Sequence, residues 1–122
     1  MHGKKILIVD DDPDIRLLVD FHMSEEGCEV IEASDGIEAL EVLKDHHVDL
    51  IITDLTMPNM DGYKLIEALK ASGDKSIIPI LMLTGKEEER ILREGLTHQP
   101  DDFLPKPFTK NELMEKIKRL LT

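Results

Sequence analysis

The chain of 122 residues holds one cysteine, Cys28, so no internal disulfide can form. That fits a reducing cytoplasm, with Cys28 read as a small, partly buried hydrophobe. Long apolar runs are also missing. After the basic start Met1-His2-Gly3-Lys4-Lys5, the apolar stretch is only Ile6-Leu7-Ile8-Val9. An export signal needs a longer apolar region, and a membrane span a far longer one. The expectation is a soluble, cytoplasmic protein with no membrane contact. Positive charge is scarce: 15 Lys and Arg stand against 26 Asp and Glu, a formal net charge of -11. Phosphate backbones are bound by basic surfaces, so direct contact with nucleic acid is not expected of this chain. The negative field favours cations and basic partners instead. Repeats, low-complexity segments and internal linkers are absent from the sequence. The length suits one domain, residues 1–122, with one core, and the 41% apolar content is enough to fold it.

What is present is an alternation of apolar runs with helical patterns. Ile6 to Val9 is short and continuous, as a strand covered on both faces should be. Asp12-Pro13 follows as a cap and first-turn proline, and Ile15, Leu18 and Val19 recur at helical spacing up to a stop at Gly27. Glu29 to Ala33 reads as a weaker strand nearer an edge. Asp35 opens a second helix, with Glu38 three residues on and Ile37, Leu40 and Leu43 on one face. Val48 to Thr53 is a third strand ending at Asp54. A loop with Pro58, Asn59 and Gly62 leads to a helix carrying Leu65, Ile66 and Leu69. Ile77 to Leu83 is a fourth strand ending at Thr84-Gly85. Lys86 to about Leu96 reads as a helix weakened at Gly95, with Glu87-Glu88-Glu89 as a solvated start. Phe103-Leu104 is a short fifth strand stopped by Pro105 and Pro107. Thr109 to Glu112 is a capping box ahead of a helix with Leu113, Ile117, Leu120 and Leu121. Strand then helix, repeated in this way, predicts an α/β fold: a doubly wound parallel sheet with helices on both faces and right-handed crossovers.

Three carboxylates in a row, Asp10-Asp11-Asp12, end the first apolar run. Two like charges about 4 Å apart repel by roughly 4 kcal/mol at an intermediate dielectric, so something must offset them. In an open parallel sheet, ligands bind beyond the carboxyl ends of the strands, near the switch in strand order. Asp10 and Asp11 follow the first strand, Asp54 the third, Thr84 the fourth and Lys106 the fifth; the second contributes nothing comparable. Carboxylates, a hydroxyl and an ammonium converging there suit a hard divalent cation of the magnesium kind together with a phosphate. A calcium loop fails, because its sixth position would be Ile15 and its twelfth Phe21. There is no phosphate-cradling glycine loop, and the five histidines lack zinc spacing. Met57 and Met60 read as loop packing rather than a metal or redox site.

Taken together, IVDDDPDI, TDLTMPNMDG, LMLTG and FLPKPF resemble the receiver domain of two-component response regulators, the CheY-like family, over essentially the whole chain and in order. The resemblance implies a flavodoxin-like fold with five helices and five parallel strands in the order 2-1-3-4-5. It implies that Asp54 is phosphorylated on its carboxylate. Asp10 and Asp11 would form the acidic pair that holds Mg2+, which Mn2+ can replace, with Asp54 and the backbone carbonyl of Thr56 completing the protein ligands. Thr84 would bond a phosphoryl oxygen, and Lys106 would pair with Asp54 at rest and with the phosphoryl group afterwards. Phe103 matches the switch aromatic, moving with Thr84, and Lys106-Pro107 the cis peptide bond. Asp12 is left as a helix cap. The donor would be a phosphohistidine on a sensor histidine kinase or phosphotransfer protein. The output would be a changed surface of the fourth helix, fifth strand and fifth helix for a downstream effector. The protein would be no enzyme beyond its own phosphorylation and dephosphorylation, and a monomer or a dimer formed on phosphorylation, with Asp101, Asp102, Lys118 and Arg119 supplying charges across that interface.

Gln99-Pro100 and Gly95 depart from the commoner pattern in the region expected to change, and Lys86, two residues after Thr84, is placed to alter the lifetime of the phosphoryl group. Two other readings compete. One is an interaction module of the same fold that needs no phosphorylation; the complete set Asp10, Asp11, Asp54, Thr84 and Lys106 argues against it. The other is a small magnesium phosphohydrolase with Asp54 as nucleophile; the haloacid-dehalogenase pattern needs a second Asp where this chain has Thr56.

Overall fold

A computed structural model of the chain describes residues 2–95 and 97–122, and in the fourth helix it describes the backbone alone at residues 86, 87, 89, 91 and 92. The described residues form β1 (Lys5–Val9), α1 (Pro13–Glu25), β2 (Glu29–Ala33), α2 (Gly36–Asp45), β3 (Leu50–Asp54), α3 (Gly62–Lys70), β4 (Ile80–Thr84), α4 (Lys86–Gly95), β5 (Asp102–Pro105) and α5 (Lys110–Leu121), with a short 3-10 helix at Gly73–Ile77 before β4. The strands are all parallel, in the order β2-β1-β3-β4-β5. This is the fold anticipated from the sequence, and β2 lies at an edge as its weaker pattern suggested.

The continuous apolar strands are explained by cover on both faces. Alternate residues point to opposite sides, so Ile6 and Ile8 join a core with Leu50, Ile52, Leu81 and Leu83 beneath α1 and α5. Leu7 and Val9 join the other core with Ile51, Met82 and Phe103 beneath α2 and α3. Helix ends follow local chemistry. The carboxylates of Asp12 and Asp35 accept from the backbone N–H of Asp14 and Glu38, and Thr109 and Glu112 form a reciprocal capping box. Gly27 stops α1 with a positive φ of 79°, a conformation that costs a glycine little.

Several expectations shift. The fourth strand begins at Ile80 rather than Ile77, and Ile77 lies in the 3-10 helix, 84% exposed. Pro79 has no N–H to donate to the ladder, though its carbonyl accepts from Ile51 N at 3.0 Å, so regular pairing starts just after it. The third strand starts at Leu50 rather than Val48, because the Asp49 carboxylate takes the Lys5 N–H at 2.8 Å. Ile37 and Leu18, expected to face inward, are exposed; α2 buries Ala39 and Leu43, and α1 buries Val19 and Met23. Met57 packs into the core, and Met60 packs against it. Leu96, where the sequence pattern ended the fourth helix, and Met1 lie outside the described residues.

Candidate functional site

Each polar residue singled out at a strand end is carried to the same edge of the sheet. Asp10 follows β1, Asp54 closes β3, Thr84 closes β4, and Lys106 follows β5. The register puts Asp54 beside Leu83 and Thr84 beside Pro105. The Lys106 N–H then donates to the Thr84 carbonyl at 2.6 Å, which turns the lysine back over the sheet edge. The Lys106-Pro107 peptide is cis.

The Lys106 ammonium lies between two carboxylates. Its Nζ donates to Asp10 Oδ2 at 3.1 Å and lies 3.2 Å from Asp54 Oδ1. The expected resting pair with Asp54 is therefore shared with Asp10. One carboxylate oxygen from each of Asp10, Asp11 and Asp54 lies within 4.8 Å of the others, with Asp10 buried and Asp11 exposed. Such an all-oxygen, anionic donor set fits a hard divalent cation. Burial of Asp54, then the charge of Asp10, raises its pKa above the carboxylate value of 3.8, against the pull of Lys106. Burial alone would lower the Lys106 pKa, but its hydrogen bond to Asp10, the charges of Asp54 and Asp10 and its bond to Asp54 outweigh that, and the net shift is upward.

Asp12 is the predicted cap and sits outside this cluster; its N–H donates to Asp10 Oδ1 at 2.9 Å. Thr56 is exposed in the loop after β3. The Thr84 hydroxyl is buried and has no hydrogen-bond partner among the described residues. Phe103 is buried, with the Arg93 guanidinium 4.6 Å over its ring. Cys28 is buried, and burial raises its thiol pKa. Of the residues offered for an interface between copies, three are engaged within the chain, Arg119 donating to Glu115 Oε1 at 3.0 Å. Asp101 Oδ2 accepts from Ile80 N at 2.7 Å. Asp102 binds Lys116 at 3.1 Å and lies 3.7 Å from Arg93 and 3.9 Å from Arg119. The side chains of Lys86, Glu87 and Glu89 lie outside the described residues.

Three supports of the site were not foreseen as such, although Asn59 and Gly62 stand in the loop that the sequence marks after β3. Arg16 Nη1 donates to the Asp10 carbonyl at 2.7 Å while its Nε donates to Glu32 at 3.0 Å, tying α1 to β2 behind the acidic pair. Asn59 donates to Asp35 at 2.8 Å. Gly62 donates to the Leu55 carbonyl at 2.8 Å and lies so close to β3 that a Cβ would collide with the Asp54 carbonyl oxygen. Only Gly62 carried a signal, its place after Asp61 at a helix start; the other two join residues far apart in the chain.

Residues 6–118 match the family described as response regulator receiver domain. The chain is 40% identical over 119 residues to the alkaline phosphatase synthesis transcriptional regulatory protein PhoP of Bacillus subtilis, covering 98% of this chain and 49% of that protein. It is 38% identical over 121 residues to the probable transcriptional regulator ycf27 of Porphyridium aerugineum, covering 99% of this chain and 49% of that one. It thus spans about half the length of the curated relatives it matches. Among solved structures, the chemotaxis response regulator CheY4 of Vibrio cholerae superposes with a TM-score of 0.91 at 34% identity, over 98% of this chain and 99% of that one. The receiver domain of the sensor histidine kinase PA1611 of Pseudomonas aeruginosa, with a magnesium ion coordinated in its active site cleft, gives 0.87 at 29% identity, over 98% of each. Among the described residues, no helix is long and apolar enough to cross a membrane.

Proposed function

The chain belongs to the response regulator receiver domain family, and on that premise we propose that it is a phosphoacceptor switch working on Asp54 with a divalent cation, Mg2+ or in its place Mn2+. The observation that carries this reading is the meeting of Asp10, Asp11 and Asp54 within 4.8 Å, with one ammonium, Lys106, between two of them. Three acids so close are poorly explained by capping or solubility, whereas a cation and an incoming phosphoryl group both fit.

The donor is a phosphohistidine on a sensor histidine kinase or a phosphotransfer protein. An Asp54 carboxylate oxygen forms the new P–O bond while the donor P–N bond breaks, and the imidazole keeps the electron pair and takes up a proton. Little covalent help is needed; positioning and neutralisation of charge carry the reaction. Asp10, Asp11, Asp54 and the Thr56 carbonyl would hold the cation, and Lys106 moves its contact from Asp54 to a phosphoryl oxygen. When bound, the cation would neutralise charge on the carboxylates and on the phosphoryl oxygens. The Thr84 hydroxyl, buried and unpartnered among the described residues, gains an acceptor when the phosphoryl group arrives. As it moves, Phe103 follows and the surface of α4, β5 and α5 changes for an effector. The acyl phosphate is hydrolysed in time, so the protein acts catalytically only on itself.

We further assign residues 1–122 to a single receiver domain acting in the cytoplasm, as a monomer or as a dimer formed on phosphorylation, with no nucleic-acid contact of its own given its charge of -11. Incubation with acetyl phosphate and MgCl2 tests the reading by intact-mass spectrometry. The expected result is a gain of one phosphoryl group, abolished by chelation and by Asp54→Asn. No gain would favour the phosphate-independent module, and sustained release of phosphate from a phosphorylated substrate would favour the hydrolase.

A further inference from the structure

The loop from Leu55 to Asp61 carries Thr56, whose carbonyl is assigned above to the cation. The loop is fixed at its ends, where Gly62 N donates to Leu55 O at 2.8 Å, and by Met57, whose side chain is buried in the core. Its apex is held differently. Asn59 has φ 65°, the only positive value at a non-glycine among the described residues, and Met60 N closes a tight turn on Pro58 O at 2.7 Å. Asparagine tolerates that backbone better than most residues but still meets a steric cost, so the turn needs support. Two contacts with the start of α2 supply it. Asn59 Nδ2 donates to Asp35 Oδ2 at 2.8 Å, and Gly36 N donates to Met60 O at 3.0 Å. The other oxygen, Asp35 Oδ1, accepts from Glu38 N at 2.8 Å. One carboxylate thus caps a helix and holds the loop. Fit is close here: a Cβ on Gly36 would lie 2.6 Å from Met60 Cγ.

We propose that Asn59 and Asp35 are positioning residues that set the affinity for the divalent cation through the loop carrying Thr56, without touching the cation or the phosphoryl group. The proposal rests on the cation reading above. With the Asn59 bond cut, Thr56 is left between the Leu55–Gly62 closure and a loosened turn, and its carbonyl spreads over more directions. Partners behind a ligand shell commonly change metal affinity by about 10- to 100-fold when removed.

The test is calorimetric titration of the chain with MgCl2, alongside half-saturating Mg2+ for phosphorylation by acetyl phosphate. Asn59→Ala should bind Mg2+ about tenfold more weakly than wild type, with the phosphorylation rate at saturating Mg2+ retained. Asn59→Asp adds a negative charge, which alone would tighten binding; facing Asp35 across the broken contact, it should weaken binding instead. The exchange Asp35→Asn/Asn59→Asp keeps the net charge, keeps a residue type that caps helices and restores an amide–carboxylate bond, so its affinity should return to within about twofold of wild type. If Asn59→Ala is too unstable to titrate, Asn59→Asp and the exchange carry the comparison. Unchanged affinity in Asn59→Ala, tighter binding in Asn59→Asp, or an exchange variant no better than Asn59→Asp would overturn the proposal while leaving the cation reading intact. A wild-type chain that binds no Mg2+ would overturn both.

Discussion

On the proposed reading, Thr84 sets stability against function in a single hydroxyl. A buried polar group without a partner costs about 1–3 kcal/mol, and replacing it with an apolar group of the same shape recovers some of that. Thr84 Oγ1 is such a group among the described residues, at the end of a strand that is otherwise wholly apolar. Thr84→Val keeps the shape and removes the hydroxyl. The expected protein is equally stable or about 1 kcal/mol more stable to urea. Its phosphorylation by acetyl phosphate should slow by about 10- to 100-fold, the worth of one hydrogen bond to a charged oxygen. A variant both less stable and undiminished in rate would show the hydroxyl to be structural. Asp54 and Lys106 tell a related story. Burial and Asp10 raise the Asp54 pKa, while Lys106, itself shared with Asp10, holds the anion in place. On the proposed reading, the site is a poor resting structure that would improve when further positive charge enters.

What could be read from sequence follows from how far each determinant reaches along the chain. The caps at Asp12, Asp35 and Thr109 depend on partners two or three residues away, and all three form as expected. The continuous apolar strands are equally plain, because both faces are covered. Asp10, Asp54 and Lys106 were legible as a group because a parallel sheet collects its strand ends on one edge. The inward faces of α1 and α2 were misjudged at Leu18 and Ile37, since which side of a helix is covered depends on neighbours remote in sequence. The Asn59–Asp35 bond spans 24 residues and was invisible for the same reason. The fourth helix permits a direct test of a purely local effect. Gly95 closes α4 without a positive φ, and a Cβ there would meet no atom of the described residues within 4 Å. Gly95→Ala should therefore stabilise the chain by up to about 1 kcal/mol, less if the helix end frays, chiefly by restricting the unfolded chain. Urea unfolding measures it; a loss of stability would mean that the end of α4 does not hold this conformation.

Charge ties the fold to the site across the whole molecule. With a net charge of -11, the chain repels itself at neutral pH, and the sharpest local instance is the acidic cluster. The Asp54 pKa is raised above 3.8, first by burial and then by Asp10. In the window between the ordinary value and the raised one, the native state holds a proton that the unfolded state has lost. Stability therefore falls as pH climbs through that window, and the penalty is complete above it. Asp54→Asn removes the penalty, and Asp10 still keeps Lys106 as a partner. At pH 7 and without divalent cation, Asp54→Asn should be more stable than wild type, and the difference should fade as pH falls toward 4. Cation binding to the native state alone adds RT ln(1 + [Mg2+]/Kd), about 2.7 kcal/mol at a hundredfold excess over Kd. Added MgCl2, compared with NaCl of equal ionic strength to remove plain screening, should stabilise wild type markedly and Asp54→Asn or Asp11→Asn much less. The advantage of Asp54→Asn should then shrink or reverse. Thermal melts across pH, with and without Mg2+, decide the matter. Equal responses of wild type and both variants to Mg2+ would show that the cation acts on the overall charge rather than on these three carboxylates.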